Sequence, residues 1–154
     1  MEGRCQCGLI RFTTPLSRPL KIYICHCTEC RHQSASAYGV TAIFPSFEIP
    51  DPEPTASHTP ATNYDPATSP AIGTHTRQTL SDNTLECLFC KQCGVRLVHR
   101  VRGADYLSVK AGCLEGLDKE MMAGAIHIWC KEAVVEIPEG VERWEEEPDR
   151  ESLD

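Results

Sequence analysis

The sequence predicts a small, mainly β fold of short antiparallel strands that clusters of cysteines hold together. Short runs rich in branched and aromatic residues recur along the chain, and few stretches show a helical period. The ten cysteines occur in tight groups instead of being scattered. Hydrophobic residues make up 41% of the 154 positions, which allows a real but modest core.

The predicted strands lie on both sides of a proline-rich stretch. The pattern places them at residues 9–12, 20–24, 38–44, 74–80, 84–89, 95–101, 106–111 and 126–129. Helix is expected in two short pieces only. One is a turn or two within 28–37, where Thr28 could act as the N-cap, and the other lies within 114–122.

Residues 50–71 differ in composition from the rest of the chain. They contain six prolines among many serines, threonines and alanines, and no strand or helix period survives there. We interpret this stretch as a long, mobile surface insertion outside the core. The predicted organisation is then a single domain over residues 1–145 that carries this insertion, followed by an acidic tail at 146–154.

The net charge of −7 is unevenly distributed. Residues 132–154 hold most of the acidic excess, so the body of the chain is nearly neutral. No basic face for a phosphate backbone is present, which argues against nucleic-acid binding. No apolar run is long enough to span a membrane, and the first residues lack the apolar stretch of a secretory signal. We therefore expect a cytosolic, or else nuclear, protein without a membrane partner.

That compartment decides how the cysteines are interpreted. A reducing environment disfavours disulfides and favours metal binding or catalysis. Closely spaced pairs also suit chelation better than local disulfides. Zinc is the metal that thiolate clusters of this kind typically bind.

Four cysteines predict a closed, structural zinc site. Cys5 and Cys7 would face the same side of a strand, since side chains alternate along it. Cys90 and Cys93 would be brought together by a turn that Gly94 helps to close. Two pairs make the four thiolate ligands of a tetrahedral site that joins distant parts of the chain.

A second cluster predicts a different kind of zinc site. Cys25, Cys27 and Cys30 offer three thiolates within six residues. Three protein ligands leave a fourth position open, as in catalytic zinc sites. Alternatively, a fourth ligand closes the site. The candidates are His26, Cys87, Cys113 or a distant histidine.

The remaining chemistry-bearing residues have no spacing that binds metal by itself. Cys87 could also be a buried small hydrophobe, and Cys113 and Cys130 have no assigned role. Each of the other histidines is expected to be structural or solvated; they are His32, His58, His75, His99 and His127.

Three ordered motifs carry a family resemblance. They are Gly3-Arg4-Cys5-Gln6-Cys7-Gly8, Cys25-His26-Cys27-Thr28-Glu29-Cys30-Arg31 and Phe89-Cys90-Lys91-Gln92-Cys93-Gly94. Together they resemble the glutathione-dependent formaldehyde-activating family, also called the centromere protein V/Gfa domain family. The resemblance implies a β-tent type of fold. It also implies a structural zinc on Cys5, Cys7, Cys90 and Cys93, and a catalytic zinc on Cys25, Cys27 and Cys30.

The function implied by this resemblance is a carbon–sulfur lyase reaction. The family's founding activity condenses glutathione with formaldehyde to S-hydroxymethylglutathione. An open zinc could bind the thiol and lower its pKa, which fits a three-thiolate site. The alternative is a zinc-stapled module that docks a protein partner without catalysis. Two positions depart from the family pattern: Ala35 replaces a common glycine, and Glu115 replaces an aspartate. We interpret both as changes at the thiol pocket.

Overall fold

The structure is a computed structural model that describes residues 1–52, 70–79 and 83–148. Most of the predicted insertion at 50–71 and the end of the predicted tail at 146–154 lie outside the described residues. No helix in the described ranges is long and apolar enough to cross a membrane.

Nine short strands and two short helices make up the regular structure of the described residues. The strands are β1 (Glu2–Arg4), β2 (Arg11–Thr13), β3 (Lys21–Cys25), β4 (Gly39–Pro45), β5 (Ile72–Gln78), β6 (Thr84–Cys90), β7 (Arg96–Val101), β8 (Tyr106–Lys110) and β9 (Ile126–Ile128). The helices are α1 (Thr28–Ser34) and α2 (Lys119–Ala123). Two single 3-10 turns lie at Ala111–Cys113 and Cys130–Glu132.

The strands form two sheets. β1 and β2 make a two-stranded antiparallel sheet. The other seven strands form one sheet in the order β5-β6-β7-β8-β4-β3-β9. Its neighbours are antiparallel except β3 and β9, which run parallel, so the sheet is mixed. The prediction of a mainly β fold of short antiparallel strands is confirmed.

One face of the large sheet packs on the hydrophobic core. Its centre is formed by side chains that are directly paired across neighbouring strands, such as Ala42 with Val109 and Val109 with Val98. All three are fully buried. Ile10 and Phe12 from the small sheet belong to the same core cluster. Burial of this apolar surface is the main stabilising term for this half of the molecule.

The opposite face of the large sheet carries polar groups and cysteines, and we call it the cluster face. Strand pairing places Cys25 opposite Gly39, Thr41 opposite Lys110, and Cys87 opposite His99. Residues two apart on a strand share a face, so the pairs at Cys25 and at Lys110 lie on the same side. His99 pairs with Ser108, which puts it on that side too.

Helix α1 lies over the cluster face. It packs on β4, and a Cβ placed on Gly39 of that strand would meet the side chain of Cys30. Three strands separate β4 from β5 in the sheet, yet Glu29 of α1 places its Oε2 4.0 Å from Arg77 Nε on β5. Side chains of α1 and β5 therefore meet above the cluster face.

Local elements differ from the predictions in ways that have physical causes. The N-cap of α1 is Cys27 and not Thr28, because the Cys27 thiol accepts a hydrogen bond from the backbone N–H of Cys30. α2 begins only after Asp118, whose carboxylate caps it. β1 was not predicted; at three residues it is too short to show a period.

The ends of the predicted insertion meet. Asp51 Oδ1 accepts a hydrogen bond of 2.8 Å from the backbone N–H of Ala71. The chain therefore leaves the described fold and re-enters it at one place, with Ala71 buried against the core.

Candidate metal centres

The first candidate metal centre joins the two sheets. The thiols of Cys5, Cys7, Cys90 and Cys93 all lie within 4.8 Å of one another. The Sγ atoms of Cys5 and Cys7 are 3.4 Å apart, and those of Cys7 and Cys90 are 3.8 Å apart. Sulfurs on a tetrahedral zinc are separated by about 3.7–3.8 Å. The sequence-predicted pairs are thus brought together at a spacing that suits that ion.

Both cysteine pairs lie in tight turns of similar construction. The N–H of Gly94 bonds to the carbonyl of Cys90, and the N–H of Gly8 bonds to that of Cys5. Each glycine has a φ of +75°, a conformation that side chains with a Cβ rarely adopt. The expectation that Cys5 and Cys7 share one side of a strand is wrong, because β1 ends at Arg4. A glycine-closed turn brings their sulfurs together instead.

The first centre favours thiolates at some positions even without an ion. Burial raises the pKa of the Cys90 thiol. At Cys93 burial acts in the same direction, but hydrogen bonds from the backbone N–H groups of Cys7 and Val95, together with those to neighbouring thiols, outweigh it and bring the pKa to about 7. A cation is the natural partner for four crowded thiol groups, since ligand thiols bind metal as thiolates.

The second candidate metal centre lies where β3 enters α1. The thiols of Cys25, Cys27 and Cys30 all lie within 4.8 Å of one another. Cys25 ends β3 on the cluster face, and Cys30 is in the first turn of α1. The hydrogen bonds of Thr28 fix the start of the helix, because its N–H and hydroxyl both donate to Glu132 Oε2 at 2.8 Å.

Gly39 is a residue of this centre that the sequence analysis missed. It faces Cys25 across β3 and β4. A Cβ placed on Gly39 would lie 3.1 Å from the Cβ of Cys30, tighter than ordinary packing. The glycine therefore lets α1 approach the sheet closely enough for Cys30 to join Cys25. A glycine at the start of a strand that follows a cysteine cluster was the available signal.

No fourth protein ligand joins the second cluster within the same distance among the described residues. His26 points away from it and is buried, with Nε2 3.0 Å from His127 Nδ1. Cys113 donates to the carbonyl of Arg96. Cys87 is fully buried beneath the cluster face and belongs to neither cluster.

The three thiols of the second centre compete for one negative charge. Hydrogen bonds from Cys25 and Cys30 lower the pKa of Cys27 to about 2. The same hydrogen bond to Cys27 raises the pKa of Cys25. Neighbouring thiolates repel each other, so a second and third ionisation need a cation. The donor set and the spacing both fit a zinc ion held by three thiolates.

The structure gives each of the two departures from the family pattern a local role. Ala35 is the C-cap of α1 and adopts a left-handed φ of +48°, which explains why a glycine suits this position. Glu115 accepts a hydrogen bond of 2.5 Å from Arg4 Nε, next to the first cluster. Ala35 strains a helix end, and Glu115 ties β1 to the chain after β8.

These features define a class: a small, mainly β protein with two cysteine clusters that could each hold a metal ion, of four and of three thiols. The family model described as "Glutathione-dependent formaldehyde-activating enzyme" matches residues 1–132. The chain belongs to that family. A comparison with curated proteins found no match.

A solved structure shares the fold. It is a crystal structure of a Rhodobacter sphaeroides protein, with 19% sequence identity and a TM-score of 0.50. The similarity covers 82% of this chain and 99% of that one. At this identity the likeness concerns the fold alone.

Proposed function

We propose that this protein is a zinc-dependent, carbon–sulfur lyase-like enzyme that acts on glutathione, or another thiol, and on formaldehyde or a related small aldehyde. The observation that carries the proposal is the three-thiol cluster of Cys25, Cys27 and Cys30. Among the described residues, no fourth protein ligand joins these three thiols. A zinc ion held there would keep one coordination position for a ligand that is not protein. Family membership supports a glutathione-dependent, formaldehyde-activating or related activity.

The reaction is an addition that conserves all atoms. The thiol sulfur forms a bond to the carbonyl carbon, the C=O π bond breaks, and the thiol proton ends on the oxygen. The reverse reaction cleaves the carbon–sulfur bond, which makes it a lyase step. Zinc bound at the cluster would lower the pKa of the incoming thiol, so that the nucleophilic thiolate is present near neutral pH.

The chain's own residues position the three sulfurs. Cys25 is buried at the end of β3, so the cluster lies where the sheet meets α1. Glu132 holds the first turn of α1 through Thr28. Gly39 gives Cys30 the room to close the cluster. These contacts fix the three sulfurs before a substrate binds.

In the first centre we propose a structural zinc on Cys5, Cys7, Cys90 and Cys93. Cys5 and Cys90 belong to the hydrophobic core cluster. A closed four-thiolate site there has no position for a substrate. Its role is to join the small sheet to the β6–β7 turn.

Exchange spectroscopy by nuclear magnetic resonance tests the proposed function. Glutathione, formaldehyde and their adduct are held at equilibrium, and exchange rates are measured with wild type, with Cys27→Ser and with Cys130→Ser. Cys130 is a half-buried cysteine of neither cluster and serves as the control. We expect wild type and the control to accelerate exchange well above the buffer rate, and Cys27→Ser not to. Equal rates in all samples would reject the lyase and favour a non-catalytic binding module.

A further inference from the structure

A bulge in the large sheet turns Arg96 onto the cluster face. The register of β6 and β7 shifts between Leu88 and Phe89, so that Phe89 pairs with Arg96 and Leu88 with Val98. An extra residue on one strand turns the side chains of the residues beyond it to the opposite face of the sheet. Arg96 therefore shares a face with His99, while Leu97 and Val98 both point into the core.

His99 is a buried imidazole with an unused polar atom. It is 8% exposed, and its Nε2 has no hydrogen-bond partner in the described part of the chain. An unsatisfied buried nitrogen costs free energy and commonly marks a place where a ligand or water binds. Burial lowers the pKa of His99 to about 2, and the nearby charges of Lys110, Arg96 and Arg77 act in the same direction.

Three cations surround this imidazole. Lys110 is buried on β8, with its Nζ 3.4 Å from Thr41 Oγ1. Arg96 lies on β7 and Arg77 on β5, and the charges of both act on the imidazole. Among the described residues, Glu29 is the one carboxylate that pairs with any of these three side chains, at 4.0 Å from Arg77.

Two of these cations have no carboxylate partner among the described residues. Arg77 pairs with Glu29, whereas no described carboxylate forms an ion pair with Arg96 or with Lys110. Both lie beside the unsatisfied nitrogen of His99, and Lys110 is buried. Unpaired positive groups in a partly buried place favour an anion.

We propose that Arg77, Arg96, His99 and Lys110 form the binding site for a carboxylate of the thiol substrate, beside the cluster that takes its sulfur. This inference rests on the proposed function and assigns the residues that would bind the anionic end of its thiol substrate. His99 Nε2–H donates to the carboxylate in the neutral tautomer, and the cations supply charge-assisted hydrogen bonds.

Isothermal titration calorimetry with S-methylglutathione tests the pocket separately from thiol chemistry. This probe keeps the carboxylates but has no free thiol, so its binding does not depend on the lyase reaction. Zinc-loaded wild type is compared with Arg96→Gln, Arg77→Gln and Arg100→Gln. Arg100 is the matched control, because it neighbours His99 on the opposite face and pairs with Glu48 at 3.1 Å. Circular dichroism and zinc content verify that each variant is folded and loaded.

We expect wild type and Arg100→Gln to bind the probe equally, and Arg96→Gln and Arg77→Gln to bind it at least about tenfold more weakly. The dimethyl ester of the probe, which lacks the carboxylate charges, should bind wild type as weakly as Arg96→Gln binds the parent compound. The proposal is overturned if wild type does not bind the probe, if it binds the ester as well, or if both pocket variants match the control. Carboxylate-dependent binding without acceleration of adduct exchange would leave the pocket standing and reject only the lyase.

Discussion

The Sγ atoms of Cys7 and Cys90 lie 3.8 Å apart, although 83 positions separate the two residues in the sequence. This contact joins the turn after β1 to the turn after β6. Ordering so long an intervening loop costs entropy, and a metal ion that binds only the folded arrangement offsets that cost. The first cluster is therefore expected to contribute to stability, and the second to ligand binding.

Substitution of one cysteine in each cluster separates the two roles. Cys93→Ser should lose one zinc and unfold or strongly destabilise the chain, because structural zinc contributes on the order of 10 kcal/mol in small zinc domains. Cys27→Ser should remain folded with one zinc instead of two. Elemental analysis and thermal unfolding followed by circular dichroism check both. Cys130→Ser, outside either cluster, should keep two zinc ions; equal behaviour of the Cys93 and Cys27 variants would contradict the division of roles.

Ala35→Gly should stabilise the protein. Ala35 holds a left-handed conformation with a φ of +48°, which costs an L-residue with a Cβ roughly 1 kcal/mol and costs glycine little. A gain of about 1 kcal/mol corresponds to a rise in Tm of about 3 °C in a domain of this size. The control is Ala123→Gly at the exposed end of α2, where the same exchange should lower Tm. A fall in Tm at both positions would show that the strain at Ala35 is not released by glycine.

The stability of the fold should decrease below pH 6.5, in part through His99. Its pKa is lowered from 6.5 to about 2 by burial, so the folded state favours the neutral ring. The stabilisation is complete above the unfolded pKa and is lost as the pH falls from 6.5 toward 2. This one group should remove about 1 kcal/mol of unfolding free energy between pH 6.5 and 5.5.

Urea unfolding of wild type and His99→Gln at the two pH values measures that contribution. The variant should lose about 1 kcal/mol less than wild type over the interval. The buried pair of His26 and His127 is present in both proteins and cancels in the comparison. His75→Gln is the control, because His75 is exposed on β5. Parallel pH dependence in wild type and His99→Gln would show that His99 is not held neutral by the fold.

Residues 53–69 should be replaceable without loss of the fold or of zinc. The hydrogen bond between Asp51 and Ala71 places the two ends of this stretch side by side, so a short Gly-Ser linker can join them. Tm should change by no more than a few degrees, and zinc content should stay at two per chain. Loss of either zinc would show that the stretch contributes to a site and would contradict its interpretation as an insertion outside the core.

The fold class and the seven clustered cysteines could be predicted because their signals are local. Runs of branched residues indicate strands, and cysteine spacing indicates chelation whatever the tertiary arrangement. Arg96 and His99 could not be placed this way. Both side chains lie on the cluster face because of a one-residue bulge and because of the pairing of β7 with β6 and β8. These are tertiary properties. The role of Ala35 likewise required its backbone angle, which the residue type alone does not indicate.

X-ray absorption spectroscopy at the zinc edge tests the central claim most directly. A fully loaded protein with one four-thiolate and one three-thiolate site should average about 3.5 sulfur ligands per zinc ion. Addition of glutathione should raise this average to about 4, as a fourth sulfur joins the cluster of Cys25, Cys27 and Cys30. An average of about 4 before any thiol is added, or one that stays at about 3.5 in saturating glutathione, would contradict an open thiol-binding centre.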